Sequence, residues 1–175
     1  MKTIGYYTNP KLAESVVQGI RQSFDTLLEW LDNSYPLVYV AVNENETFPV
    51  VWDGTKDNIS LRPDDSVDSY CFFEFYGASV GDDNDPVAYD LGVVFWVNLH
   101  KLDPNRKQDY TWDLVSDVVR VLKIKEAYSI NVTTDDVFDS YTFELDKQQL
   151  MRKYTGFKIR FTIYGDNNMC DFNVS

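Results

Sequence analysis

The sequence has few of the side chains on which most metal proteins depend. Its 175 residues include one histidine, His100, and two cysteines, Cys71 and Cys170. A structural zinc ion takes four thiolate or imidazole ligands, and no CxxC pair is present, so the sequence argues against such a site. Cys71 lies within an aromatic stretch and is expected to be a small buried hydrophobic side chain.

Motifs for catalysis and for phosphate binding are also missing. The chain has no Walker A sequence, no GxGxxG and no GxSxG. His100 has no nucleophile motif beside it, and we interpret it as an ordinary structural or exposed histidine. The sequence therefore predicts a protein that is not an enzyme, with no catalytic residue and no cofactor.

Long apolar runs and an excess of basic residues are absent as well. No stretch reaches the roughly 18 apolar residues of a membrane-spanning helix, and the first residues lack the pattern of a signal peptide. We therefore expect a soluble, cytoplasmic protein with no membrane partner. The chain has 16 basic and 28 acidic residues, a net charge of -12, whereas nucleic-acid affinity comes mainly from Lys and Arg. A solvated acidic surface is the ordinary interpretation.

The densest group of carboxylates lies in the stretch GDDNDP, residues 81–86, and comprises Asp82, Asp83 and Asp85. Calcium prefers such oxygen ligands, but the alternate spacing of an EF-hand loop is not present. Asp, Asn and Gly favour turns for conformational reasons alone, so we interpret the stretch as a solvated turn. No metal site is predicted. A metal-dependent hydrolase that uses these carboxylates is one alternative for the function, weaker than the two that are described below.

Hydrophobic residues make up 44% of the chain and aromatic residues 15%, enough for a sizeable core in a single domain spanning 1–175. Helical spacing of apolar residues predicts an amphipathic helix over 10–32, with Asn9 as its cap and Pro10 at its first position. Arg21 is assigned to its polar side. The residues predicted to share the apolar face are Leu12, Val16, Ile20, Phe24, Leu27 and Leu31.

A second helix is predicted over 109–123. Acidic residues lie near its start and basic residues near its end, as the helix dipole favours. Its apolar face is expected to contain Trp112, Val115, Val118, Val119 and Leu122.

Strand patterns occupy most of the remaining chain, at 37–42, 47–52, 58–63, 69–77, 127–132 and 156–165. The most apolar run, 89–103, predicts a long inner strand. Its residues Leu91 to Leu99 at odd positions form one apolar face, and Gly92 to His100 at even positions form a partly covered one. In the closing strand, Phe157, Ile159, Phe161 and Ile163 are predicted to point inward and Lys158, Arg160, Thr162 and Tyr164 outward.

The segment 135–154 is expected to be irregular, with a helical turn at 146–152. The whole pattern predicts an α+β fold. Its sheet is antiparallel or mixed, with the N-terminal amphipathic helix and the second helix packed on one face.

This element order is carried by PKLAESVVQGIRQSFDTLLEWL, AYDLGVVFWVNLHKLD, YTWDLVSDVVRVLK and YTGFKIRFTIYGDNNMCDF. It resembles the tail-terminator and tail-completion proteins of tailed bacteriophages, a likeness of element order without a diagnostic motif. The resemblance implies a structural subunit of a closed ring at the head–tail neck of the virion, joining the portal or an adaptor to the tail. Its partners would be further copies of itself and other neck, portal or tail proteins, and DNA would pass through the lumen without specific binding.

In such a ring, the segments expected to contact neighbours are the arm 1–9 and three loops, at 43–47, 81–86 and 103–108. A flexible arm at 1–9 and a short tail at 165–175 are equally consistent with the sequence. Aromatic residues are enriched at interfaces. The candidate interface residues are Tyr6, Tyr7, Asp82, Asp83 and Asp85.

A different class of protein fits the same composition. A small acidic inhibitor, an immunity protein or a DNA mimic would bind a basic protein target through its carboxylates. Such a protein should carry one contiguous acidic face, and its binding should weaken with salt. Ring contacts should instead be extensive and partly apolar.

Overall fold

Eight strands and three helices make up the regular structure in a computed structural model that describes residues 10–52, 58–63, 68–80, 86–106, 108–142 and 154–165. The helices are α1 (Ala13–Leu27), α2 (Leu99–Leu102) and α3 (Thr111–Ile124). The strands are β1 (Asn33–Leu37), β2 (Tyr39–Asn43), β3 (Glu46–Trp52), β4 (Asn58–Ser60), β5 (Ser69–Ser79), β6 (Val87–Asn98), β7 (Tyr128–Thr133) and β8 (Tyr154–Gly165).

The larger sheet has five strands in the order β1-β5-β6-β8-β7. β1 runs parallel to β5, and the other neighbours are antiparallel, so the sheet is mixed. β6 lies at its centre and pairs with β5 on one side and β8 on the other. The prediction of a long inner strand is confirmed, because its β-branched and aromatic residues suit a sheet with neighbours on both sides.

Helices α1 and α3 cover one face of this sheet. The inward residues of β6 and β8 are those predicted from alternation, and Cys71 is buried as expected. The α+β prediction is thus confirmed, with both helices on the same face. The apolar cluster beneath them includes Val17, Ile20, Phe24, Val115, Val118, Leu122, Phe73, Leu91, Val93, Phe95, Phe157, Ile159 and Phe161.

The other face of the sheet is also covered, more completely than predicted. The second sheet, β2-β3-β4, and the irregular segment 135–142 together contribute Val51, Leu61 and Phe138 to a cluster with Val94 and Trp96 of β6. The even-numbered face of β6 is therefore buried, because a second layer packs on it. The helical turn expected at 146–152 lies outside the described residues.

The first helix is shorter than predicted and is rotated slightly about its axis, although Ile20 and Phe24 of the predicted apolar face are buried as expected. It begins at Ala13, after Leu12, whose φ of 54° is not helical, and Asn9 lies outside the described residues. Leu12 and Leu27 are exposed, whereas Arg21 is buried. The rotation follows from Arg21, whose Nε and Nη2 donate to the carbonyl oxygen of Ser34 in β1 at 3.2 and 2.6 Å.

Two further expectations are wrong, the C-terminal extent of the long strand and the direction of Trp112. β6 ends at Asn98, because the Asn98 side chain accepts a hydrogen bond from the Lys101 N–H (3.1 Å) and starts α2, which leaves His100 exposed in a helix. Trp112 is 62% exposed. Helical spacing placed it on the apolar face of α3, but its side chain lines an open groove between α3 and β7.

Candidate functional site

A cluster of polar side chains interrupts the apolar packing between the two sheets. Glu74 of β5 is buried, and its Oε1 accepts a hydrogen bond from the hydroxyl of Tyr141 at 2.8 Å. Lys158 of β8 lies 3.4 Å from Glu74 Oε2 and donates to Asp139 Oδ1 at 2.8 Å. Sequence analysis noted Glu74 only as the single charge in its strand and assigned Lys158 to the outward side. Their contact was missed.

Gly92 makes room for this cluster. It lies opposite Glu74 in the β5–β6 register and opposite Arg160 in the β6–β8 register. A Cβ at this position would lie 2.7 Å from Cε2 of Tyr76, so the ring of Tyr76 occupies the space that a side chain would fill. The Tyr76 hydroxyl donates to Glu74, and the Arg160 guanidinium lies 4.4 Å from the centre of the ring.

The electrostatics of this polar cluster indicate a structural role. Burial raises the pKa of Tyr141 and of Tyr76 far above the ordinary tyrosine value, and the Glu74 carboxylate raises both further, so the two hydroxyls stay protonated as donors. The hydrogen bond from Lys158 holds the pKa of Asp139 below its ordinary value. Each acceptor is matched to a donor, and a buried network with all members satisfied stabilises one arrangement.

The polar cluster also fixes the irregular segment 135–142 against the sheets. Asp139 and Tyr141 bind the larger sheet through Lys158 and Glu74. At the end of the segment, Thr142 Oγ1 accepts a hydrogen bond from the N–H of Thr47 in β3 at 2.7 Å. The segment therefore bridges the two sheets. Within the described part of the chain, no three His, Cys, Asp or Glu side chains form a group able to hold a metal ion.

The candidate interface residues from the sequence, Tyr6, Tyr7, Asp82, Asp83 and Asp85, lie outside the described residues. The predicted contact loop 43–47 is described, and the loop 103–108 is described except for residue 107. Residues 44–45 form the turn between β2 and β3, and Glu44 in that turn is exposed. In the loop 103–108, Arg106 forms an ion pair with Asp113 of α3.

The four outer edges of the two sheets differ in how well they are protected against further strand pairing. β1 contains Pro36, which has no N–H to donate, and contacts α1, while β4 has three residues. β2 and β7 contain neither charge nor proline, and their outer edges pair with no strand among the described residues. A register shift between Tyr128 and Asn131, where Ser129 has a positive φ, leaves 131–133 as the regular part of the β7 edge. Open edges of this kind favour pairing with another chain.

β2 exposes apolar side chains on both of its faces. Tyr39 is 61%, Val40 57% and Val42 73% exposed. Val40 and Val42 lie on the same face because successive side chains of a strand alternate. We call the exposed strand and the turn that follows it, residues 39–45, the β2 surface.

An open groove of about 680 Å³ runs between α3 and β7. Its apolar walls include Trp112, Val119, Ile124 and Val132, and Arg120 and Lys123 are the charged side chains among the described residues that line it. This α3–β7 groove is thus a basic and apolar site in a chain with a net charge of -12. Nearby, Tyr128 stacks on Tyr164 with ring centres 5.1 Å apart, and a hydrogen bond to Tyr164 raises the pKa of Tyr128 to about 12.

Sequence analysis missed both surfaces. The run RVLKIK, residues 120–125, was the available signal for the groove, since it is basic and apolar within an acidic chain. No comparable signal marked β2, whose apolar residues are typical of a buried strand.

Comparison with protein-family models gives no matching family, and comparison with curated proteins gives no matching sequence. No helix among the described residues is long and apolar enough to span a membrane. The β2 surface and the α3–β7 groove are therefore the features of this chain that bear on its function.

Proposed function

We propose that this chain is a structural subunit of a closed ring at the head–tail neck of a tailed bacteriophage. In the virion the ring would join the portal or an adaptor to the tail and surround the DNA channel. Its partners would be further copies of itself and the neighbouring neck, portal or tail proteins. The observation that carries the proposal is the pair of different open surfaces, the β2 surface and the α3–β7 groove.

Two different surfaces on one subunit support a head-to-tail contact, in which copies join in sequence and close into a ring when the rotation permits. The surfaces begin at opposite edges of the larger sheet. β7 is one outermost strand, and β2 follows the other, β1, after the single residue Val38. Four strand spacings separate β1 from β7, roughly 19 Å. A subunit with such surfaces can contact one neighbour on each side.

The acidic composition also supports a ring around DNA. A lumen wall with few Lys and Arg side chains does not retain the phosphate backbone, because affinity for DNA comes mainly from those cations. The element order that resembles the tail-terminator proteins agrees with this role. The alternative, an acidic inhibitor of a basic protein, gives no reason for two open apolar surfaces.

The proposal is tested by measuring the mass of the purified chain by light scattering after size exclusion, over a concentration series, with negative-stain images of any large species. We expect closed rings that persist in high salt, because their contacts are partly apolar, and that do not retain duplex DNA. A monomer at every concentration would contradict self-assembly and favour the acidic inhibitor. Loss of the assembly at high salt would contradict an apolar contact.

A further inference from the structure

At the α3–β7 groove the apolar layer between helix and sheet is left open, as it would be if the sheet lacked one further strand beside β7. β7 is the last strand of the larger sheet, and Trp112 and Ile124 of α3 line the open groove beside it, where both are more than 60% exposed. A strand added beside β7 would bring alternate side chains against Val119 and Val132, which are half-buried at the margin of the helix-covered core. Addition of a strand to an open edge is a common mode of recognition.

The β2 surface has the properties of such a strand. Its outer edge is open, its five residues are uncharged, and Val40 and Val42 lie on one face. Because they are two residues apart, both side chains would enter the same groove if β2 lay beside it as a neighbouring strand. The regular part of the β7 edge, 131–133, is long enough to pair with the part of β2 that carries Val40 and Val42.

Charge determines the direction of the pairing. Glu44, which follows β2, has no ion pair among the described residues. In the groove Arg120 and Lys123 are both exposed; Arg120 pairs with Asp117 of its own helix at 3.2 Å, whereas Lys123 forms no ion pair among the described residues. α3 turns into β7 within three residues, so Lys123 lies near the start of β7. Glu44 reaches that end only if β2 runs antiparallel to β7. Opposite charges placed in this way fix the register of an interface.

From these contacts we infer that consecutive copies of this chain join by strand addition. β2 of one copy pairs antiparallel with β7 of the next, Val40 and Val42 enter the α3–β7 groove, and Glu44 faces Lys123 and Arg120. This inference rests on the proposed ring and specifies the contact between its subunits. The occupant of the groove is a second copy, because the same chain supplies the apolar strand and the charge that the groove lacks.

Two substitutions block the two sides of the contact separately. Val42→Lys places a cation against Arg120 and Lys123, and Ile124→Glu places an anion against Glu44. Both positions are strongly exposed, so the fold of the monomer is retained. We expect each variant to be monomeric, with self-association weakened about 100-fold or more, because each substitution removes an apolar side chain from the contact and places a charge against a like charge of the neighbouring copy.

A 1:1 mixture of the two variants separates this contact from others. The Val42→Lys chain keeps its groove and the Ile124→Glu chain keeps its β2, so one competent contact remains per pair. The second contact of the pair brings the introduced Lys and Glu together, and opposite charges attract, so we expect heterodimers and alternating larger species where each variant alone stays monomeric. Val80→Lys and Leu27→Glu are matched controls at other exposed apolar positions, and we expect both to assemble as the unchanged chain does.

A disulfide trap detects the same contact even when association is weak. In a Cys170→Ser background, Val42→Cys and Ile124→Cys chains are mixed under mild oxidation. Cys71 does not compete, because it is fully buried and burial raises the pKa of its thiol. We expect cross-links to form about tenfold faster than between Val80→Cys and Ile124→Cys chains, since docking raises the effective thiol concentration.

The outcomes distinguish the contact from the ring. Rings that form unchanged with both blocking variants would overturn the contact and leave the ring standing. Dimers or open chains that both variants abolish would support the contact and contradict a closed ring. A mixture that stays monomeric, or a cross-linking rate equal to that of the control pair, would overturn the contact.

Discussion

The two faces of the five-stranded sheet are covered in different ways. The face beneath α1 and α3 is packed with aliphatic and aromatic side chains, among them the stacked rings of Phe95 and Phe157, 4.7 Å apart. The opposite face has a similar aromatic cluster around Phe72 and Trp96. The same face also contains the ion pair of Glu74 and Lys158.

The difference shows what each cover contributes. Helices bring continuous apolar stripes to a sheet, and a close-packed core results. The irregular segment 135–142 brings isolated side chains, and hydrogen bonds from Tyr141 and Asp139 hold it in place. Packing therefore secures one face, while packing and a satisfied polar network together secure the other.

The largest loss of stability should come from substitutions that create a cavity on either face of the five-stranded sheet. Phe95→Ala is expected to lower the free energy of unfolding by about 4 kcal/mol, and Phe72→Ala by about 3 kcal/mol. Both side chains are fully buried, but the irregular segment over Phe72 can relax into the space more easily than two helices can. Urea denaturation measures both values, and equal losses would mean that the two covers are equally rigid.

The next effect should come from the polar cluster. Lys158→Met leaves the Glu74 carboxylate buried without its cation and is expected to cost about 3 kcal/mol. The double variant Glu74→Gln, Lys158→Met removes both charges and keeps an acceptor for Tyr141, so we expect it to cost under about 1 kcal/mol. A double-mutant cycle from urea denaturation checks this. Additive losses would contradict a coupled pair.

The smallest effect should be a pH dependence at Asp139. Its pKa is lower in the folded chain, through the hydrogen bond from Lys158, than in the unfolded chain. The stability that it contributes is therefore present at neutral pH and is lost as the pH falls below about 4, through the depressed pKa.

We expect Asp139→Asn to lower the stability at pH 7 by under about 1 kcal/mol, because the carboxylate is largely exposed. The difference from the unchanged chain should shrink as the pH falls. Thermal unfolding at several pH values measures it, with the exposed Asp135→Asn as the control. A difference that stays constant with pH would show that Asp139 acts by packing.

Much of the fold could be predicted because its signals are local. The alternation in 157–163 identified the inward face of β8, since a strand repeats every two residues. The spacing of Val115, Val118 and Leu122 identified α3 in the same way. The same spacing misplaced Trp112, because periodicity gives an angle around a helix axis and not the position of the edge of a sheet.

The polar cluster and the two open surfaces could not be predicted by the same means. Glu74 and Lys158 lie far apart in the chain and meet only through β6, where Gly92 leaves space between the outer strands. The apolar residues of β2 suit a buried strand as well as an open one. Their exposure depends on which neighbours the rest of the chain supplies.

The sequence alone determined the α+β class, the two long helices and the inner position of β6, because each follows from the polarity of neighbouring residues. Only the tertiary structure decided that 33–37 is a strand and 99–102 a helix, which strands form the open edges, which charges meet between the sheets and where a groove is left open beside α3. Those features depend on the pairing of strands distant in the chain, and a local pattern carries no information about that pairing.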